Sequence, residues 1–172
     1  MKYLKTFEKI DFNDIFSLNG SKAKREELKD FCELYLAYLM DDCIKELKVG
    51  KPQLLQTEKY VCYNVEIYFN EDTHWDQIKD HFLPFLQMVQ KQYVFREYKS
   101  GEMCSIGWRI EDSLITIARQ YTLEELLEDK IETNFTFKRT PNDLLMGLRS
   151  TFSIQGNVGS IKLEILEEVE KD

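Results

Sequence analysis

Between Glu58 and Phe69 apolar residues fall on every second position: Val61, Tyr63, Val65, Ile67 and Phe69 share one face, and Tyr60, Cys62, Asn64, Glu66 and Tyr68 the other. That period belongs to a β-strand, because successive side chains of an extended chain leave opposite sides. A strand with one wholly apolar face needs a second layer over it, so the pattern commits the chain to a covered sheet. The material for that layer is present. The 172 residues are 43% hydrophobic and 13% aromatic, and a chain of this length buries roughly two thirds of the surface it exposes when unfolded.

Helical spacing dominates before this strand. Residues 2 to 18 read as two short helical turns, with Asp11 able to cap the second. After Asn19-Gly20, a long helix is expected from Lys22 to Lys48. Ser21 is its N-cap, and Leu28, Phe31, Cys32, Tyr35, Leu36, Leu39, Cys43, Ile44 and Leu47 form its stripe. Gly50 and Pro52 end it, and Lys45, Lys48 and Lys51 suit the negative end of its dipole.

Past the strand, Thr73 and Asp76 form a T-x-x-D cap for a second helix with the stripe Trp75, Ile78, Phe82, Phe85, Leu86 and Val89. Pro84 predicts a kink or a restart, because its ring removes one helical hydrogen bond. Val94 to Lys99, Met103 to Glu111 and Leu114 to Gln120 read as an antiparallel meander, with Cys104, Ile106, Trp108 and Ile110 on one side. Thr122 to Glu125 is a capping box for a short helix through Asp129. A strand from Glu132 to Arg139 follows, with Phe135 and Phe137 inward, and then a helical turn at Thr140-Pro141. The end reads as a hairpin, Ser150 to Gln155 and Ser160 to Glu168, around the loop Gly156-Asn157-Val158-Gly159. The strands cluster instead of alternating with helices, so the fold class is α+β, a mainly antiparallel sheet of about six or seven strands flanked by two longer helices and short helical turns. Residues 1 to 172 are read as a single domain, with a helical part from 1 to 52 packed on a sheet-rich part from 58 to 172.

Chemistry-bearing residues are few. Two histidines occur, His74 and His81, with no Gly-rich phosphate loop and no paired CxxC. His74 and His81 lie seven residues apart on one helical face, about 10 Å along the axis, too far to share one ion without a third element. Cys32, Cys43, Cys62 and Cys104 match neither a zinc spacing nor a disulfide scaffold and read as packing residues. Cys32 and Cys43, placed about 16 Å apart along one predicted helix, cannot bridge within it. The series Tyr93, Phe95, Arg96, Tyr98, Lys99, Trp108 and Arg109 has the composition of a single-strand stacking face, diluted by Glu97, Glu102 and Glu111. Catalytic, cofactor-binding and metal-binding residues are therefore all assigned as none, and no cofactor is expected.

Charge points to a partner. Residues 1 to 52 carry 10 basic and 10 acidic side chains, residues 53 to 172 carry 13 and 21, and the whole chain stands at −8. Such a balance disfavours direct binding to nucleic acid and to anionic lipid. Glu124, Glu125, Glu128, Asp129 and Glu132 are the candidate partner-binding residues, suited to a basic protein surface. No apolar run is long enough to span a bilayer, and the N-terminus has no secretory h-region, so a cytoplasmic location is expected. A homo-oligomer stays open.

The opening Met1-Lys2-Tyr3-Leu4-Lys5-Thr6-Phe7-Glu8-Lys9-Ile10 resembles the starts of many small proteins of large tailed bacteriophages, especially those of marine and Bacteroidetes hosts. The resemblance covers those ten residues. It implies a phage setting, the host cytoplasm or the virion, and a structural or host-interaction role. The leading expectation is a noncatalytic protein that binds other proteins, as a virion or assembly component or as a host-factor inhibitor. The alternatives are a small metal-dependent hydrolase using the His74 to His81 region, and an acidic nucleic-acid mimic.

Overall fold

The computed structural model describes residues 18–55, 59–96, 104–110, 116–138 and 151–168. In chain order the elements are α1 (Leu18–Tyr35), α2 (Ala37–Asp42), β1 (Ile44–Val49), β2 (Gln53–Leu54), β3 (Tyr60–Phe69) and α3 (Trp75–Gln92). They are followed by β4 (Val94–Phe95), β5 (Cys104–Ile110), β6 (Thr116–Tyr121), α4 (Leu123–Leu127), β7 (Asn134–Lys138) and β8 (Thr151–Glu168). The fold is α+β. An open antiparallel sheet of eight strands runs in the order β1-β3-β8-β5-β6, with β2 added to β3, and β4 and β7 added to β8. No helix among the described residues is long and apolar enough to cross a membrane. The turns expected in residues 2 to 17 and at Thr140-Pro141 lie outside the described residues.

The apolar face of β3 is the floor of the core. Val61, Tyr63, Val65, Ile67 and Phe69 are buried in one cluster with Leu28, Cys32, Leu36 and Leu39 from α1, α2 and the break between them, and with the whole stripe of α3. Neighbouring strands keep the same face inward. Tyr63 pairs with Ile165, Val65 with Leu163 and Ile67 with Ile161, while Cys104 and Ile106 face Leu163 and Ile161 from the other edge of β8.

The long helix expected from Lys22 to Lys48 is three elements. Helical order breaks at Leu36, resumes for a short helix, and stops at Asp42. Two acidic residues, Asp41 and Asp42, stand at that end, where the helix dipole disfavours them. Asn70 secures the stop: its side-chain amide donates to the Asp42 carbonyl at 3.2 Å and its backbone N–H to the Cys43 carbonyl at 2.8 Å. Ile44 to Val49 then join the sheet beside β3, so the part up to residue 52 is not wholly helical. A bulge between Ile44 and Glu46 puts both Ile44 and Leu47 inward, which is why their three-residue spacing imitates a helix. Lys45 and Lys48 consequently decorate a strand rather than a helix end, and Cys32 and Cys43 do not share a helix.

In α3 the N-cap is His74 and not Thr73. The His74 backbone N–H donates to Gln77 Oε1 at 2.8 Å, while the Thr73 hydroxyl is engaged upstream, donating to the Asn70 carbonyl at 2.8 Å. The helix runs through Pro84 without a restart. A proline inside a helix costs about 3 kcal/mol. Burying each large apolar side chain contributes about 1.5–3 kcal/mol, and α3 buries six: Trp75, Ile78, Phe82, Phe85, Leu86 and Val89.

The meander holds only as the β5–β6 hairpin, because β4 pairs with β8. The terminal hairpin is absent: residues 151 to 168 are one strand. Gly156 and Gly159 lie inside it because neighbouring side chains occupy the space of a Cβ. At Gly156 a Cβ would stand 2.6 Å from Phe135 Cε2, and at Gly159 2.9 Å from both Cγ and Nε of Arg109. Arg109 crosses at Gly159 to donate to the carbonyl of Phe69, which ends β3.

Gly156→Ala should destabilise the protein by about 1–3 kcal/mol through overpacking against Phe135. Gly50→Ala, whose Cβ would meet Asn64 O at an ordinary 3.5 Å, should be near neutral. Urea denaturation of the two variants checks this, and equal losses would contradict the packing role of Gly156.

Candidate partner-binding surface

The acidic stretch of residues 124 to 132 forms α4 and the turn that leads to β7. Thr122 caps α4 as expected, its hydroxyl accepting from the Glu125 N–H at 3.1 Å while Glu125 Oε2 accepts from the Thr122 N–H at 2.9 Å. Glu125 is therefore committed to the cap. Asp129 takes a left-handed backbone, φ 54°, and accepts from the Trp75 indole N–H at 2.7 Å and from Lys79 Nζ at 3.0 Å. Partial burial pushes its carboxyl up, but these two donors outweigh burial and hold it below the ordinary value. Glu128 pairs with Lys130, and Glu132 with Arg119. Arg119 also lies over the Phe135 ring at 4.6 Å. Of the five candidates, Glu124 is exposed and enters no ion pair among the described residues. Glu132 and Arg119 line a surface cavity of about 550 Å³ with Ile131, Thr133, Asn134 and Thr136.

The second acidic stretch is also engaged. Glu164 meets Arg96 at 3.4 Å, and Glu168 meets Lys59 at 3.2 Å. Glu167 pairs with Val61 in register, so it points to the core side of the sheet. It accepts from the Tyr63 hydroxyl at 3.0 Å and lies 3.6 Å from Lys24 of α1. Burial raises its carboxyl above the ordinary value and Glu27 adds to that, against the pull of Lys24 and Tyr63. Tyr63 and Tyr93 are pushed upward as well, first by burial and then by Glu167.

The remaining sequence candidates separate. His74 caps α3, whereas His81 is exposed and stacks on Tyr38. No group of three His, Cys, Asp or Glu side chains able to hold a metal occurs among the described residues. Cys32, Cys62 and Cys104 are buried, but Cys43 is only half-buried. Burial pushes the Cys32 thiol up to about 12 and raises Cys62 and Cys104 as well. Among the described residues the aromatic and basic series forms no open stacking face: Phe95 and Trp108 are buried, and Arg109 is turned onto the β3 carbonyl. Tyr98 and Lys99 lie outside the described residues.

The structure adds a feature absent from the sequence-derived list. Leu34 is 68% exposed and Tyr38 80%, four residues apart in sequence on either side of the break at Leu36. The Tyr38 ring rests on His81, with centroids 5.1 Å apart and planes 20° apart. Both fall outside the apolar stripe of the long helix, and an apolar residue off its stripe is the signal that marks them. Compared with known proteins, the chain matches no family model, no curated protein and no solved structure.

Glu167→Gln tests the half-buried carboxylate. A carboxyl raised in the folded state favours folding when protonated, and that contribution is lost as pH rises above the unfolded value of 4.5 and through the folded one. The stability difference between wild type and Glu167→Gln should therefore shift toward the variant as pH rises from 4 to 7. Denaturant titrations across that range measure it, and a shift toward the wild type would show that Tyr63 and Lys24 dominate over burial.

Proposed function

We propose that this protein acts by binding another protein and performs no catalysis, as a virion or assembly component or as an inhibitor of a host factor, in the host cytoplasm or the virion. The observation that carries the reading is the exposed pair Leu34 and Tyr38, presented at a helix break and steadied by His81. Isolated exposed apolar side chains are ordinary on a protein surface. These two flank one helix break, and the aromatic one is already ordered by stacking, which lowers the entropy lost when a partner covers it. Tyrosine in such a position is a typical energetic anchor of an interface. The phage setting is what the N-terminal resemblance supports.

The acidic α4 surface has a secondary place in this reading. Of its five carboxylates only Glu124 is in neither the cap nor an ion pair among the described residues, so Glu124 would act by long-range steering and not as a close contact. Glu125 belongs to the cap and should stay in any test.

The test compares wild type, Leu34→Ala/Tyr38→Ala and Glu124→Lys as baits in lysates of infected and uninfected bacteria, with captured proteins quantified by mass spectrometry. A partner held by wild type should fall about thirtyfold with the first variant, an anchor loss of about 2 kcal/mol. The charge variant should slow association without abolishing capture. Unchanged melting temperatures establish that both variants fold. Equal capture by wild type and Leu34→Ala/Tyr38→Ala would overturn the reading.

A further inference from the structure

Tyr38 is carried by α2, whose exposed carboxylates enter no ion pair among the described residues. Residues 30 to 44 contain no Lys or Arg. In α1 Asp30 lies one turn before Leu34, and in α2 Asp41 and Asp42 lie one turn after Tyr38; all three are exposed. Asn70, which binds the end of α2, is followed directly by exposed Glu71 and Asp72, and exposed Asp80 precedes His81. None of these six carboxylates enters an ion pair among the described residues, whereas Glu66, Glu128, Asp129, Glu132, Glu164, Glu167 and Glu168 all do. Carboxylates with no ion-pair partner among the described residues thus lie on the elements that carry Tyr38 and His81.

The geometry points to the chemistry of the partner: a basic segment whose arginine stacks on the open face of Tyr38 and forks onto a neighbouring carboxylate of α2, with an apolar side chain beside it on Leu34. This rests on the reading of Leu34 and Tyr38 as the docking surface. His81 covers one face of the Tyr38 ring, and the 80% exposure leaves the other open. A planar guanidinium fits that face and donates in pairs to a carboxylate; a lysine ammonium can do only part of this. Both contacts together orient the partner, and the remaining carboxylates accelerate its approach.

The probes are three peptides of equal length and leucine content that carry arginine, lysine or glutamate at the charged positions. Fluorescence anisotropy measures affinity, and ¹H–¹⁵N spectra of the full chain locate the site. The arginine peptide should bind tightest and shift Leu34, Tyr38 and His81, with the lysine peptide several-fold weaker and the glutamate peptide inactive. Tyr38→Ala should weaken the arginine peptide about tenfold, while Tyr38→Phe, which keeps the ring, should retain most of the affinity. Asp41→Asn/Asp42→Asn should weaken it similarly and flatten its salt dependence. If glutamate and arginine peptides shift the same residues with equal affinity, the arginine chemistry is overturned while the docking surface stands. If no peptide shifts these residues, or Tyr38→Ala leaves the arginine affinity unchanged, this inference fails, and the docking reading is then judged by lysate capture alone.

Discussion

A central strand must satisfy its backbone on both edges, and here one strand does so for most of the sheet. β8 pairs with β3 from Ser160 to Glu168 and with β5 from Gly156 to Leu163, and its two ends receive β4 and β7. Between these ladders the Gly156 and Val158 N–H groups donate to the Thr133 and Thr73 carbonyls, each at 2.8 Å. A buried amide without an acceptor costs about 1–3 kcal/mol, so continuity of β8 ties the turns before α3 and β7 to the sheet. The bulge between Gly107 and Trp108 on the β5 ladder lies where Arg109 crosses Gly159. Absence of a side chain at Gly156 and Gly159 is therefore the condition for Phe135 and Arg109 to reach their positions.

The elements legible in the sequence were those whose signal is local. Alternation named the inner face of β3 correctly, the Thr122 to Glu125 box marked the start of α4, and the stripe of α3 matches its buried residues. What failed depended on distant partners. Ile44 and Leu47 carry helical spacing only because a bulge adds a residue against β3, and nothing near them in sequence reveals it. Gly156 to Gly159 resembles a turn until Phe135 and Arg109, brought from other strands, explain the missing side chains. β2 and β4, two residues each, are defined by the strands they join and not by any pattern of their own.

The same division applies to the surface. Charge density along residues 124 to 132 is visible in the sequence, but its internal use is not. Trp75 and Lys79 reach Asp129 from α3, and Arg119 reaches Glu132 from β6. Carboxylates that hold the fold together have less free charge to offer a partner. Those around Tyr38 have no such employment among the described residues, so the α1–α2 break has more free charge to offer than the α4 surface. Leu34 and Tyr38 lie off the apolar stripe in the sequence, and the structure adds their exposure and the stacking of Tyr38 on His81.

Native-state hydrogen exchange along β8 tests the central claim most directly. If β8 is the continuous spine of the sheet, the amides of Gly156, Val158, Ile161 and Leu163 should be among the slowest in the protein and should open together near the global unfolding free energy. Fast, independent exchange at Gly156 and Val158, with slow exchange confined to residues after Ser160, would describe two strands joined by a loop and would contradict the account.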